Sequence, residues 1–150
     1  MERRRVVITG MGIISPVGLD LPTAWGNLIA GQSGIGPITL FDASHHSTRF
    51  ACEVKGFDPE EFIDRKEIKR MDPFIHLAMA AAHMAMEDSG LSIGPGLAPR
   101  TGVYMGSGLG GLSTLERYHK AYLLEGGPKK ISPFFIPMTL ADSAAGNSRG

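Results

Sequence analysis

The chain has 150 residues, 43% of them hydrophobic, which is enough for one domain with its own core and too apolar for a disordered segment. Fifteen basic side chains balance fifteen acidic ones, excluding a general affinity for nucleic acid or an anionic membrane surface, so any charged partner must be met locally. The single cysteine, Cys52, excludes an internal disulfide, no cysteine–histidine spacing of a zinc site occurs, and a reducing, cytoplasmic setting fits this usage.

The opening "MERRRVVITGMGIISPVG" has the basic start and apolar continuation of a signal peptide. Gly10, Gly12 and Pro16 interrupt the run, however, no small-residue cleavage site follows, and no later stretch is long enough to span a bilayer. The β-branched "RVVIT" predicts a buried strand over about Arg5–Thr9, and "SPVG" a turn. A helix is expected from Leu21 to Ala30, with Pro22 early and Gly31 just past its end. "RFACEV" alternates as a short strand does, after which Asp58 can cap a short helix, with Pro59 at its first position and Glu61 closing a capping box.

The clearest element is "MDPFIHLAMAAAHMAMEDSG", where Asp72 caps, Pro73 opens and Gly90 ends a long helix that is apolar almost all round. A helix without a polar face must be covered on several sides, which points to a layered α/β assembly or a subunit interface. "GPGLAPRT" reads as a loop, "TGVYMGSG" as a buried strand, and "LSTLERYHKAYLLEGG" as an amphipathic helix with Glu116 placed to pair with Lys120. "ISPFFIP" is expected to be extended, and "MTLADSAAG" to open another helix. That helix has barely begun at "NSRG", so a part of something longer is expected.

Gly106, Gly108 and Gly111 fit G-x-G-x-x-G between a predicted strand and a predicted helix, as in a dinucleotide-binding turn. Such a fold also needs an acidic residue ending a second strand about twenty residues on. Glu125 instead sits in "LLEGGPKK", directly after a helix, and the earlier pair Gly10 and Gly12 lacks its third glycine. Tight turning and close packing account for the glycines without a cofactor. His76 and His83 can share a helix face but have no carboxylate or thiolate beside them, so they read as core or interface histidines, while His45 and His46 read as solvated. Cys52, within a strand and with no partner base marked, reads as a buried, inert thiol. Neither "SPVG" nor "GSG" is a G-x-S-x-G elbow. Two basic clusters, Arg65, Lys66, Lys69 and Arg70, then Lys129 and Lys130, read on their own as a solvated helix face and a charged loop.

Together, "VVITGMGIISPVG", "GQSGI", "RKEIKRMDPF", "AMEDSGL", "GSGLGGL" and "GGPKKISPFFIP" stand in the order and spacing found at the start of β-ketoacyl-acyl carrier protein synthases. The chain resembles the N-terminal part of these type II condensing enzymes of fatty acid synthesis over nearly everything up to Gly146. The resemblance implies an α/β, thiolase-like layered αβαβα fold, of which residues 1–150 would be most of the first half, and a homodimer when complete. It implies a cysteine that takes the acyl group as a thioester and two histidines that assist decarboxylation of malonyl-acyl carrier protein. All of these would lie beyond the residues present, so no catalytic residue is assigned here and Cys52 is not given the missing role. No metal or cofactor is implied. Leu109 matches a bulky residue at the acyl pocket, and Phe134 and Phe135 match aromatics that approach the pocket near the dimer interface. Lys66, Lys69, Arg70, Lys129 and Lys130 become candidates for docking the acidic acyl carrier protein. The rival readings are a nonenzymatic scaffold or regulatory chain and a nucleotide-binding oxidoreductase.

Overall fold

Helix α1, Leu21–Ile29, starts where its cap dictates: the Asp20 carboxylate accepts the Thr23 N–H and the Thr23 hydroxyl, both at 2.8 Å, and a proline occupies the first turn. It stops before Gly31, whose φ of 66° lies in the left-handed region. The computed structural model describes residues 4–148 and divides them into two compact units, one of residues 4–58 with 84–90, the other of residues 59–83 with 91–148. Met1–Arg3 of the basic start, and Arg149 and Gly150 of the "NSRG" end, lie outside the described residues.

In the first unit the short strands β1, Gly36–Pro37, and β2, Phe50–Ala51, pair antiparallel with Gly36 opposite Ala51. Just beyond them Glu53 ties the two segments together, accepting from the Thr39 hydroxyl at 2.6 Å, the Thr39 N–H at 2.8 Å and the Leu40 N–H at 3.2 Å. Cys52 follows β2 and is exposed, which corrects the expected buried thiol: two residues of ladder form no layer deep enough to cover it. Gly10 lies so close to the end of the long helix that an added Cβ would meet Ala85 O and stand 2.6 Å from Ser89 N, and next to it the Met11 N–H donates to Asp88 Oδ2 at 2.8 Å.

The expected strand at Arg5–Thr9 does not form, and neither does the one in "TGVYMGSG". Val6 is 94% exposed and Tyr104 96%. A strand is defined by a neighbour's ladder, and no segment among the described residues pairs with either stretch, so β-branched composition alone leaves them without regular structure.

The second unit is helical. After a single 3₁₀ turn at Pro59–Glu61 come α2, Arg65–Ile68, and α3, Pro73–Ser89, the latter passing its last residues to the first unit. Gly90, at φ 60°, ends α3 as expected. Then come α4, Leu112–Leu124, a 3₁₀ turn at Gly127–Lys130, α5, Phe135–Thr139, and α6, Ser143–Asn147. Ile63, Ile75, Ala80, Ala121, Met138 and Ala144 are its buried apolar residues, and α4 packs on α5 and on the 127–130 turn. His76 is a satisfied core histidine, its Nε2 3.1 Å from Ile68 O, while His83 is exposed and meets the edge of the Phe62 ring. "ISPFFIP" is not extended: its last residues begin α5, and Pro137 is tolerated because N–H groups of a first turn have no intrahelical acceptor. Glu116 and Lys120 both stand in solvent and form no ion pair in the described structure. No helix among the described residues is long and apolar enough to cross a membrane.

Candidate functional site

All eight residues singled out from the sequence fall in the second unit. Lys66 and Arg70 lie on and just after α2, Lys69 between them, and Lys129 and Lys130 end the 127–130 turn; all five are exposed. The two clusters, some sixty positions apart in sequence, are linked through one contact: the Arg70 guanidinium lies 4.9 Å from the centre of the Phe134 ring, four residues beyond Lys130. Arg70 also donates to Glu67 Oε1 at 2.8 Å. It is therefore committed within the fold, whereas the four lysines present their ammonium groups to solvent.

Phe134, at 39% exposure, and Phe135 flank the start of α5. Phe135 meets Tyr118 of α4 edge-on at 5.5 Å between ring centres, and Tyr118 in turn carries Arg117 at 4.7 Å. Leu109 is 78% exposed, in the glycine loop. That loop abuts the other end of α5: the Gly111 N–H donates to Thr139 O at 3.1 Å, and the Gly110 N–H donates to Ser107 Oγ at 3.0 Å. The structure thus places Leu109 in a loop at one end of a five-residue helix, about 7.5 Å long at the rise of an α-helix, and Phe134 and Phe135 at the other end.

Packing explains Gly110 and Gly111. An added Cβ at Gly110 or Gly111 would run into the backbone of Met138–Ala141, and Gly110 has φ 66° besides, whereas Gly106 and Gly108 face open space. Of the three glycines in the motif, only Gly111 is required by close backbone approach.

Against the first residues of the glycine loop is an apolar concavity of about 450 Å³, lined by Phe74, Leu77, Ala78, Ala81 and Ala82 of α3, Met105, Gly106, Ser107 and Ala144. Leu109, Phe134 and Phe135 do not line it. Among the described residues no group of three or more histidine, cysteine, aspartate or glutamate side chains is gathered as metal ligands.

Sequence reasoning missed the residue that organises this region. Asp72 was expected only to cap α3; it also accepts the Thr114 N–H at 2.9 Å, from the first turn of α4. A capping aspartate is legible in a sequence, but a partner 42 positions away is not.

The family description "Beta-ketoacyl synthase, N-terminal domain" matches residues 3–148. The chain belongs to the β-ketoacyl synthase family. It is 51% identical over 147 residues to 3-oxoacyl-[acyl-carrier-protein] synthase 2 of Vibrio cholerae, covering 98% of this chain and 35% of that protein. The chain thus spans about a third of the length of the curated relatives it matches. Among solved structures it resembles the ishigamide ketosynthase/chain length factor, with a TM-score of 0.83 and 30% identity over 98% of this chain and 36% of that one. A type II PKS acyl-carrier protein in complex with its ketosynthase shares the fold at a TM-score of 0.75 and 24% identity, over 97% of this chain and 38% of that one. The fold of this chain is therefore the N-terminal portion of the thiolase-like α/β architecture.

Proposed function

We propose that residues 1–150 act as the N-terminal domain of a cytoplasmic, homodimeric 3-oxoacyl-acyl carrier protein synthase of fatty acid synthesis. The observation that carries this reading is 51% identity over 98% of the chain to a protein of that name. In the reaction, a cysteine thiolate attacks the thioester of acyl-acyl carrier protein and expels the carrier thiol; thiolate is both a good nucleophile and a good leaving group. Malonyl-acyl carrier protein then loses carbon dioxide, its α-carbon attacks the enzyme thioester, a carbon–carbon bond forms and the cysteine thiolate leaves.

Residues 1–150 do not supply the nucleophile. Cys52 is exposed, just after a two-residue strand. What they supply is the wall and the rim. Leu109, Phe134 and Phe135 border the acyl chain, where each methylene buried contributes about 0.8 kcal/mol. Lys66, Lys69, Lys129 and Lys130, with Arg70 behind them, meet the acidic carrier protein, acyl- or malonyl-loaded.

The test is a hybrid in which this chain replaces the matching N-terminal part of the Vibrio cholerae relative, assayed for condensation of acyl- with malonyl-acyl carrier protein. Turnover by the hybrid and none by the 150-residue chain alone is the expected result. A folded hybrid without turnover overturns the proposal. Turnover by the chain alone, abolished by Cys52→Ala, overturns the assignment of the nucleophile elsewhere.

A further inference from the structure

We infer that Asp72 is a positioning residue for the acyl pocket: its buried carboxylate fixes the start of α4 and, through it, the loop and the helix that carry Leu109, Phe134 and Phe135. The inference rests on the pocket reading proposed above.

Asp72 is 3% exposed and is the one buried carboxylate among the described residues. Burying a carboxylate is unfavourable unless its oxygens receive hydrogen bonds, and both do. Oδ1 accepts the Phe74 N–H at 3.3 Å, the ordinary work of an N-cap, which serine, threonine or asparagine performs as well. Oδ2 accepts the Thr114 N–H at 2.9 Å. No such neutral cap does both. A serine or threonine hydroxyl is a single oxygen, and an asparagine amide would turn its NH₂ toward one of the two donors.

Helix α4 needs this acceptor because it has none of its own: Gly111 stands at its N-cap and has no side chain to offer. The charge of Asp72 accordingly faces the N-terminal ends of two helices, of 17 and 13 residues, where a negative group is favoured. From the first turn of α4 the constraint runs back to Gly111, bonded to Thr139 O of α5, and to Gly110, bonded to Ser107 Oγ. Leu109 sits inside that closed loop, and Phe134 and Phe135 at the far end of α5.

Two substitutions break the same bond from opposite sides. Asp72→Asn keeps the shape and loses one acceptor; Thr114→Pro removes the donor at the third residue of α4, whose N–H has no intrahelical acceptor to lose, though it also replaces a buried threonine side chain, and it serves if Asp72→Asn fails to fold. In the 150-residue chain, Asp72→Asn is expected to lower amide-exchange protection of Thr114 and Gly111 by about tenfold or more, as loss of a bond to a charged acceptor predicts. In the hybrid synthase, either substitution is expected to lower kcat/KM for a long acyl chain about fivefold more than for a short one, chiefly through KM. The double variant should do no more than the stronger single one, because only one bond is lost. Loss of exchange protection without a change in chain-length preference would make Asp72 a helix cap only, and equal losses on long and short chains would mean folding damage; either overturns the inference. Additive effects overturn it too, since the residues would then act separately. Should the unmutated hybrid fail to condense, the enzymatic reading and the pocket role fall together, while exchange at Thr114 still reports whether Asp72 holds α4.

Discussion

At Gly111 a Cβ would stand 2.9 Å from Thr139 Cα and closer still to Met138 O, so Gly111→Ala must push α5 away from the glycine loop. The expected cost is about 1–3 kcal/mol, the range for forcing extra atoms into a packed site. Gly108→Ala, three residues earlier in the same motif, meets nothing within 4 Å and is expected to fall within about 0.5 kcal/mol of the parent chain. Urea unfolding of both variants decides the matter; equal effects would show that the loop does not owe its glycines to α5. None of this was legible in "GSGLGGL", because a close approach is a relation between two segments and only one of them is in the motif.

Glu53 sets the behaviour of the β1–β2 region with pH. The Thr39 hydroxyl, and after it the Thr39 N–H, hold its carboxyl below the usual glutamate range; an opposing effect of desolvation comes next, and the Leu40 N–H and the charge of Lys55 add still smaller effects in the lowering direction. A value lower when folded than when unfolded means that the stabilisation is complete above the unfolded value and is lost as pH falls through the folded one. Stability of the parent chain is therefore expected to decline below about pH 4.3, the ordinary glutamate value, more steeply than that of Glu53→Gln. Parallel declines in denaturant titrations across that range would remove Glu53 from the account. Among the elements themselves, those with end signals were readable: α1 between Pro22 and Gly31, and α3 between Asp72 and Gly90. The segments at Arg5–Thr9 and in "TGVYMGSG" were misread because β-branched composition describes a fit to a sheet, and the sheet must come from elsewhere.

For the molecule as a whole, neutral overall and locally basic, the proposed docking of a carrier protein is the reading most open to test. Rim charges chiefly steer encounter, so Lys69→Glu combined with Lys130→Glu in the hybrid synthase is expected to raise KM for acyl carrier protein substrates several-fold more than for small thioesters, and to flatten the dependence of association on salt. Equal losses on both substrate classes would indicate misfolding, and no loss on either would return the lysines to ordinary solvated surface. Arg70 is the exception in that cluster. Held by Glu67 and stacked over Phe134, it joins the proposed docking rim to the proposed pocket wall, so Arg70→Lys is expected to disturb both together.

The sequence by itself determined the family, through six segments in a fixed order, and the helices whose caps and breakers are local: Pro22, Gly31, Asp72, Pro73 and Gly90 act on their immediate neighbours, so their meaning is written beside them. The tertiary structure alone decided that Asp72 serves two helices, that Arg70 belongs to Phe134, that Gly111 is needed and Gly108 is not, and that Cys52 faces solvent. Each of these depends on which distant backbone or ring arrives at a given side chain. That is fixed by the packing of whole helices, and no local spacing encodes it.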